Sequence, residues 1–130
     1  MNKKLASYIK NKFMKVAEDL VVNPSGLKIR IVKAREKLAK ESVKESLGIY
    51  VEELNLFMRM ISSAITKKYT GLSKESAIYI VVAVIYFVTP TDFVPDFLLG
   101  LGFIDDRAVI AWVMDKIQKD KEDFKKWESS

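Results

Sequence analysis

The stretch AIYIVVAVIYFVTPTDFVPDFLLGLGFIDD, residues 77–106, decides the fold. Its first twelve residues, 77–88, carry no polar group except the hydroxyls of two tyrosines. A helix that is apolar on every side lies either at the centre of a bundle or in lipid. Twelve helical residues reach about 18 Å, whereas the hydrocarbon core of a bilayer is about 30 Å thick. We therefore expect a buried central helix over 77–88.

The eighteen residues that follow this run contain two prolines, two glycines and four aspartates. Thr89, Pro90 and Asp92 have the spacing of a helix start, with the threonine as N-cap and the proline at the first helical position. Pro95 limits how far that turn continues. The sequence therefore predicts short helical turns in the segment 89–104.

Hydrophobic periodicity predicts helices along the rest of the chain. The predicted segments are 3–22, 26–47, 49–69, 73–88 and 106–127. Ser25 and Ser73 are the expected N-caps of two of these helices, and Gly71 is the expected left-handed residue after the third. We predict an all-α fold, a single compact helical bundle of about five main helices around 77–88.

Charge is distributed unevenly along the chain. Residues 1–70 contain 15 Lys and Arg against 7 Asp and Glu, whereas residues 71–130 contain 7 against 10, and the whole chain carries +5. We expect one domain, 1–130, with basic N-terminal helices in 1–70 and a helix–turn–helix core in 71–127. A basic half favours an anionic partner such as a membrane surface or an acidic protein, unless it is simply a lysine-rich solvated surface.

The predicted helix 3–22 is the candidate membrane or partner face. Its lysines are Lys3, Lys4, Lys10, Lys12 and Lys15. A basic amphipathic helix can lie on an anionic membrane, but its apolar stripe is also the normal pattern of a helix that packs on other helices. The charges of the predicted helix 26–47 have no base-stacking aromatic residue among them, so they are weak evidence for nucleic acid. The sequence leaves self-association open.

The chain contains neither cysteine nor histidine. This composition excludes disulfides, thiolate metal sites, thiol nucleophiles and the usual Ser-His-Asp arrangement. No secretory signal is apparent, because lysines interrupt the apolar residues of the N-terminal segment. We expect a cytoplasmic protein, at most peripheral to the inner face of the membrane, and assign no catalytic residue.

The segment 86–96, YFVTPTDFVPD, followed by 101–106, LGFIDD, resembles the signature of the YkvA-like domain family. That signature is written Y-x-x-S-P-x-D-x-x-P-D, a short apolar spacer, then G-x-x-D-D, and Thr89 stands here for the usual serine. The likeness covers roughly residues 70–115. It implies a small bacterial or archaeal helical module, often described as membrane-associated, with no established activity. The motif positions are Thr89, Pro90, Asp92, Pro95, Asp96, Gly102, Asp105 and Asp106.

The four aspartates of this motif, Asp92, Asp96, Asp105 and Asp106, admit two interpretations. If they converge, they could bind Mg²⁺, Mn²⁺ or Ca²⁺, which prefer oxygen ligands, and a bound metal could activate water for hydrolysis. Alternatively each caps a helix or braces a turn. Two functions follow: a non-enzymatic module that associates with a membrane surface or partner protein, or a divalent-metal-binding protein or metal-dependent hydrolase. No cofactor other than such a cation is expected.

Overall fold

A computed structural model describes residues 3–89 and 106–130, and these residues form seven helices and no strand. The helices are α1 (Lys3–Val21), α2 (Pro24–Leu38), α3 (Glu41–Leu47), α4 (Tyr50–Ile65), α5 (Lys74–Val88), α6 (Asp106–Lys116) and α7 (Gln118–Glu128). The predicted all-α fold is confirmed.

Helix α5 is the centre of the bundle, as its uniformly apolar sequence predicts. It packs against α1, α2, α4 and α6, and all its residues from 80 to 87 are buried. Ring contacts extend the packing, since the Tyr86 ring meets Phe13 of α1 at 5.7 Å and the Tyr79 ring meets Trp112 of α6 at 5.4 Å. Every face of α5 is therefore in contact with protein, which accounts for the missing polar face.

Helix α1 directs its apolar stripe into the same core. Ile9, Phe13, Ala17 and Leu20 are all buried, and α1 makes its most extensive contacts with α5. Of the two uses that the sequence leaves open for this stripe, packing against other helices is confirmed. The apolar side of α1 is thus unavailable to lipid in the folded protein.

The segment predicted as one helix over 26–47 is two helices, which corrects that prediction. The chain leaves helical geometry at Lys40, whose backbone is extended, and α3 begins at Glu41. A straight continuation of the buried stripe of α2 beyond Leu38 would carry Glu41 and Glu45 toward the core. The bend avoids this and lets Leu47 be buried instead.

The last predicted helix, 106–127, is likewise divided, at Ile117. The buried stripe of α6 would continue at Asp120 and Lys121 if the helix ran straight. Because the break changes the direction of the helix, Lys121 instead lies 3.0 Å from the Glu53 carboxylate of α4. Ion pairing with α4 also occurs at the far end of α7, where the Arg59 guanidinium lies 2.8 Å from Glu128.

The end of α4 differs from the prediction that placed a left-handed residue at Gly71. Lys67 takes that conformation, with φ 62°, and the amides of Lys67 and Lys68 donate to the carbonyls of Ala64 and Ser63 in a Schellman arrangement. Gly71 is needed for a different reason. A Cβ there would lie 2.7 Å from the Tyr69 hydroxyl oxygen.

One of the two predicted serine caps is correct. The Ser73 hydroxyl accepts from the Ser76 amide at 3.1 Å and begins α5. The N-cap of α2 is Asn23 rather than Ser25, because the Asn23 side-chain oxygen accepts from the Gly26 amide at 3.2 Å. The Ser25 hydroxyl donates to that same oxygen.

Candidate functional site

Two of the eight motif positions lie within the described residues. Thr89 ends α5, and its hydroxyl donates to the Ile85 carbonyl at 2.7 Å. Asp106 is the first residue of α6, where a carboxylate interacts favourably with the positive end of the helix dipole. The predicted start of a new helix after Thr89 falls outside the described residues.

The predicted metal site cannot be assembled from the part of the chain that the structure describes. Asp92, Asp96 and Asp105 lie outside it, as do Pro90, Pro95 and Gly102. Within 3–89 and 106–130, no group of three or more acidic side chains could hold a metal ion. Metal binding by the four aspartates therefore stays a prediction.

The N-terminus of α5 is held by a carboxylate from α7. The Ser73 hydroxyl, which caps the helix, donates to Asp120 Oδ2 at 2.6 Å. Burial by itself would raise the pKa of the Asp120 carboxyl, but hydrogen bonds from Ser73 and Ser76 outweigh it and hold the pKa below its usual value. A negative charge is thus fixed at the positive end of the helix dipole.

The C-terminus of α5 is held by an ammonium group from α2. Lys37 Nζ donates to the Phe87 carbonyl and lies 4.7 Å from the centre of the Phe87 ring. A cation at this position satisfies a carbonyl that has no partner within the helix and meets the negative end of the dipole. Both ends of the central helix are therefore anchored by complementary charges from other helices.

The two anchoring residues, Lys37 and Asp120, are the ones that sequence reasoning missed. Lys37 and Phe87 are 50 positions apart, and Ser73 and Asp120 are 47 apart. Each charge falls among many others on a charged helix, so no local pattern distinguishes it. Only the tertiary arrangement identifies the partners.

The predicted lysine face on α1 is solvent-exposed throughout. The five side chains are Lys3, Lys4, Lys10, Lys12 and Lys15. Lys15 forms an exposed ion pair with Asp19 at 3.4 Å. Tyr8 lies among Lys3, Lys4 and Lys12 on the same open surface of α1.

Helix α2 continues this basic surface. The first 40 residues contain eleven Lys and Arg against three Asp and Glu. The whole excess of positive charge in residues 1–70 therefore belongs to α1, α2 and the residues immediately around them. Between α2 and α4 lies an apolar groove of about 290 Å³, with Ile31 and Ile65 in its lining and Lys28 and Arg35 beside them. Positive charge and aliphatic surface thus occur together on α2.

Within 3–89 and 106–130, no helix is both long enough and apolar enough to cross a membrane. The most apolar helix, α5, has 15 residues and a length of about 22 Å, which is short of the roughly 30 Å that a span requires.

Comparison with known proteins bears on the motif directly. The chain is 31% identical over 77 residues to a Bacillus subtilis (strain 168) protein described as "Uncharacterized membrane protein YkvA", and the match covers 59% of this chain and 73% of the relative. The chain belongs to the YkvA-like family. Residues 77–112 match the profile of the family described as "Protein of unknown function (DUF1232)". No solved structure matches the chain.

The profile match, residues 77–112, lies inside the range 70–115 that the motif predicts, and the resemblance to the YkvA-like family is confirmed. It includes most of α5 and the first seven residues of α6. The family signature is therefore centred on the buried helix and the segment that follows it, whereas the whole basic surface of α1 and α2 precedes the matched profile.

Proposed function

We propose that this YkvA-like protein is a non-enzymatic helical module that associates peripherally with an anionic membrane surface. The observation that carries the proposal is the charge of the first 40 residues, eleven basic against three acidic, displayed largely on α1 and α2. Juxtamembrane basic residues gain roughly 1 kcal/mol each near an anionic bilayer surface. A cluster of this size is enough for reversible binding.

Two further observations support the proposal. A family relative is described as a membrane protein, and a peripheral mode is compatible with described helices that are too short or too polar to span. The cytoplasmic leaflet carries a negative surface potential. We therefore propose a cytoplasmic location at the inner face of the membrane.

The fold limits how such binding can occur. The apolar stripe of α1 packs against α5, so α1 cannot insert that stripe into lipid without unfolding the core. Its contribution is the electrostatic attraction of lysine side chains that extend into solvent. Binding of this kind weakens as salt shortens the range of the attraction.

Vesicle co-sedimentation tests the proposal. Vesicles of phosphatidylcholine with phosphatidylglycerol should carry the protein into the pellet at low salt and release it as salt is raised. Vesicles of phosphatidylcholine alone should leave it in the supernatant. If anionic vesicles fail to sediment the protein even at low salt, the membrane proposal is wrong, and an acidic protein becomes the candidate partner.

A pair of charge-reversal variants separates a local surface from net charge. The first replaces Lys10, Lys12 and Lys15 of α1 by Glu, and the second replaces Lys119, Lys125 and Lys126 of α7 by Glu. All six side chains are exposed, and both variants change the net charge by the same amount. The α1 variant should lose at least roughly a hundredfold in affinity for anionic vesicles. Equal losses in the two variants would contradict a specific basic face.

A further inference from the structure

Helix α2 exposes aliphatic side chains along one line of its surface. Ile29 and Val32 are 51% and 52% exposed. Their spacing of three positions places them on the same side of the helix. The opposite side carries the buried stripe, so this line faces away from the core. We call it the α2 ridge.

The α2 ridge contains two of the large hydrophobic side chains that are exposed in the described part of the chain. The other four are Val16, Val22, Ile49 and Trp127. These four lie on α1, before α2, before α4 and on α7, whereas the two ridge residues lie one helical turn apart. Isolated exposed hydrophobic residues are ordinary, but neighbouring ones on one helix face form a patch that can contact a partner.

Positive charge accompanies the ridge. Lys28 and Lys33 are exposed beside Ile29 and Val32, and neither lysine forms an ion pair with the described residues. Glu36 is the one acidic residue in α2. The ridge therefore presents aliphatic groups and cations together, with one compensating carboxylate.

We infer that the α2 ridge is the part of this protein that enters the headgroup region of an anionic bilayer. The inference rests on the proposed function and names the surface that performs it. Aliphatic side chains enter the boundary between headgroups and acyl chains, while lysines keep their ammonium groups at the level of the phosphates. Cores of protein interfaces, in contrast, are depleted in lysine and enriched in aromatic residues, which the ridge does not contain.

The geometry of α2 suits this mode of contact. Three positions separate Ile29 from Val32, so the ridge extends for about 4.5 Å, close to one turn, along the outward side of the helix. Contact through this side places α2 flat on the surface, parallel to the bilayer plane. Helix α5 and the core remain on the far side of α2, which leaves the fold intact on binding.

The double variant Ile29→Thr/Val32→Thr tests the inference, with Ile49→Thr as the matched control. Threonine keeps the β-branched shape but removes apolar surface. Ile49 is 82% exposed and lies in an acidic part of the sequence. The double variant should bind phosphatidylglycerol-containing vesicles at least about tenfold more weakly than the wild-type protein, whereas the control should bind as the wild type does.

A second measurement remains decisive even if the double variant folds poorly. Because the chain has no cysteine, Val32→Cys and Ile49→Cys each allow one environment-sensitive fluorophore to be attached. Anionic vesicles should increase the fluorescence of the label at position 32 and leave that at position 49 unchanged. Equal responses at the two positions would overturn the inference.

Failure of the inference is distinguishable from failure of the proposed function. Wild-type protein that does not sediment with anionic vesicles contradicts both. If the double variant binds as tightly as the wild type, the role inferred for the α2 ridge is contradicted, and the lysine face on α1 remains the proposed membrane surface. Self-association of the wild type without lipid, abolished in the double variant, would assign the ridge to a second copy of the chain and overturn the inference.

Discussion

Helices α2 and α5 are both 15 residues long and pack against each other, yet they use aliphatic residues in opposite ways. Helix α5 buries valines and isoleucines on every side. Helix α2 buries one stripe and exposes Ile29 and Val32 among lysines. Residue type alone therefore does not reveal whether an aliphatic side chain stabilises the fold or forms a surface.

The two helices also differ in what they require from their neighbours. Helix α5 has charged partners at both ends, Asp120 at its N-terminus and Lys37 at its C-terminus. Both helices begin with a local cap, Asn23 in α2 and Ser73 in α5. In α5 the cap is itself bonded to a carboxylate from a distant part of the chain, and the other end of the helix is held by a distant ammonium group.

The largest expected effect comes from making the same substitution in both helices. Ile80 of α5 is fully buried, whereas Ile29 of α2 is half exposed. Ile80→Thr should lower the free energy of unfolding by about 2–4 kcal/mol, because it leaves a cavity and buries a hydroxyl. Ile29→Thr should change it by less than about 0.5 kcal/mol. Urea denaturation measures both, and similar losses would refute the contrast between the helices.

A smaller effect is expected from removing the C-terminal anchor of α5. Lys37→Met keeps much of the side-chain packing but leaves the Phe87 carbonyl without its charged donor. We expect a loss of about 1–2 kcal/mol in the free energy of unfolding. Lys33→Met, on the exposed side of the same helix, is the control and should be close to neutral. Equal denaturation midpoints for the two variants would show that Lys37 does not anchor α5.

The smallest effect concerns the N-terminal anchor and depends on pH. The pKa of Asp120 is lowered in the folded state, so its charge stabilises the fold above the unfolded-state pKa of roughly 3.9. That contribution is lost as the pH falls through the folded-state pKa. Asp120→Asn should cost about 1 kcal/mol at pH 7.

The same reasoning predicts how the stability difference between the wild type and Asp120→Asn varies with pH. Melting temperatures of the wild type and Asp120→Asn should converge as the pH is lowered through the acidic range. The exposed residue Asp115 supplies the control, since Asp115→Asn should show little difference from the wild type at pH 7. A constant gap between the wild type and Asp120→Asn at every pH would mean that ionisation of Asp120 is irrelevant to stability.

Local patterns were enough to predict several features. The apolar run 77–88 indicated a central helix, Ser73 was identified as its cap, and the motif identified the family. The divisions at Lys40 and Ile117 were missed, because helix propensity continues across both positions. Each break is imposed by the need to keep charged residues out of the core, which depends on where the other helices lie.

The sequence by itself determined the all-α class, the central position of α5 and the basic character of the first 40 residues, since periodicity, length and charge are local properties. Tertiary structure alone decided that the apolar stripe of α1 is buried, that Lys37 and Asp120 hold the ends of α5, and that Ile29 and Val32 face solvent. These outcomes depend on contacts between residues far apart in the chain, and burial is a property of the assembled bundle.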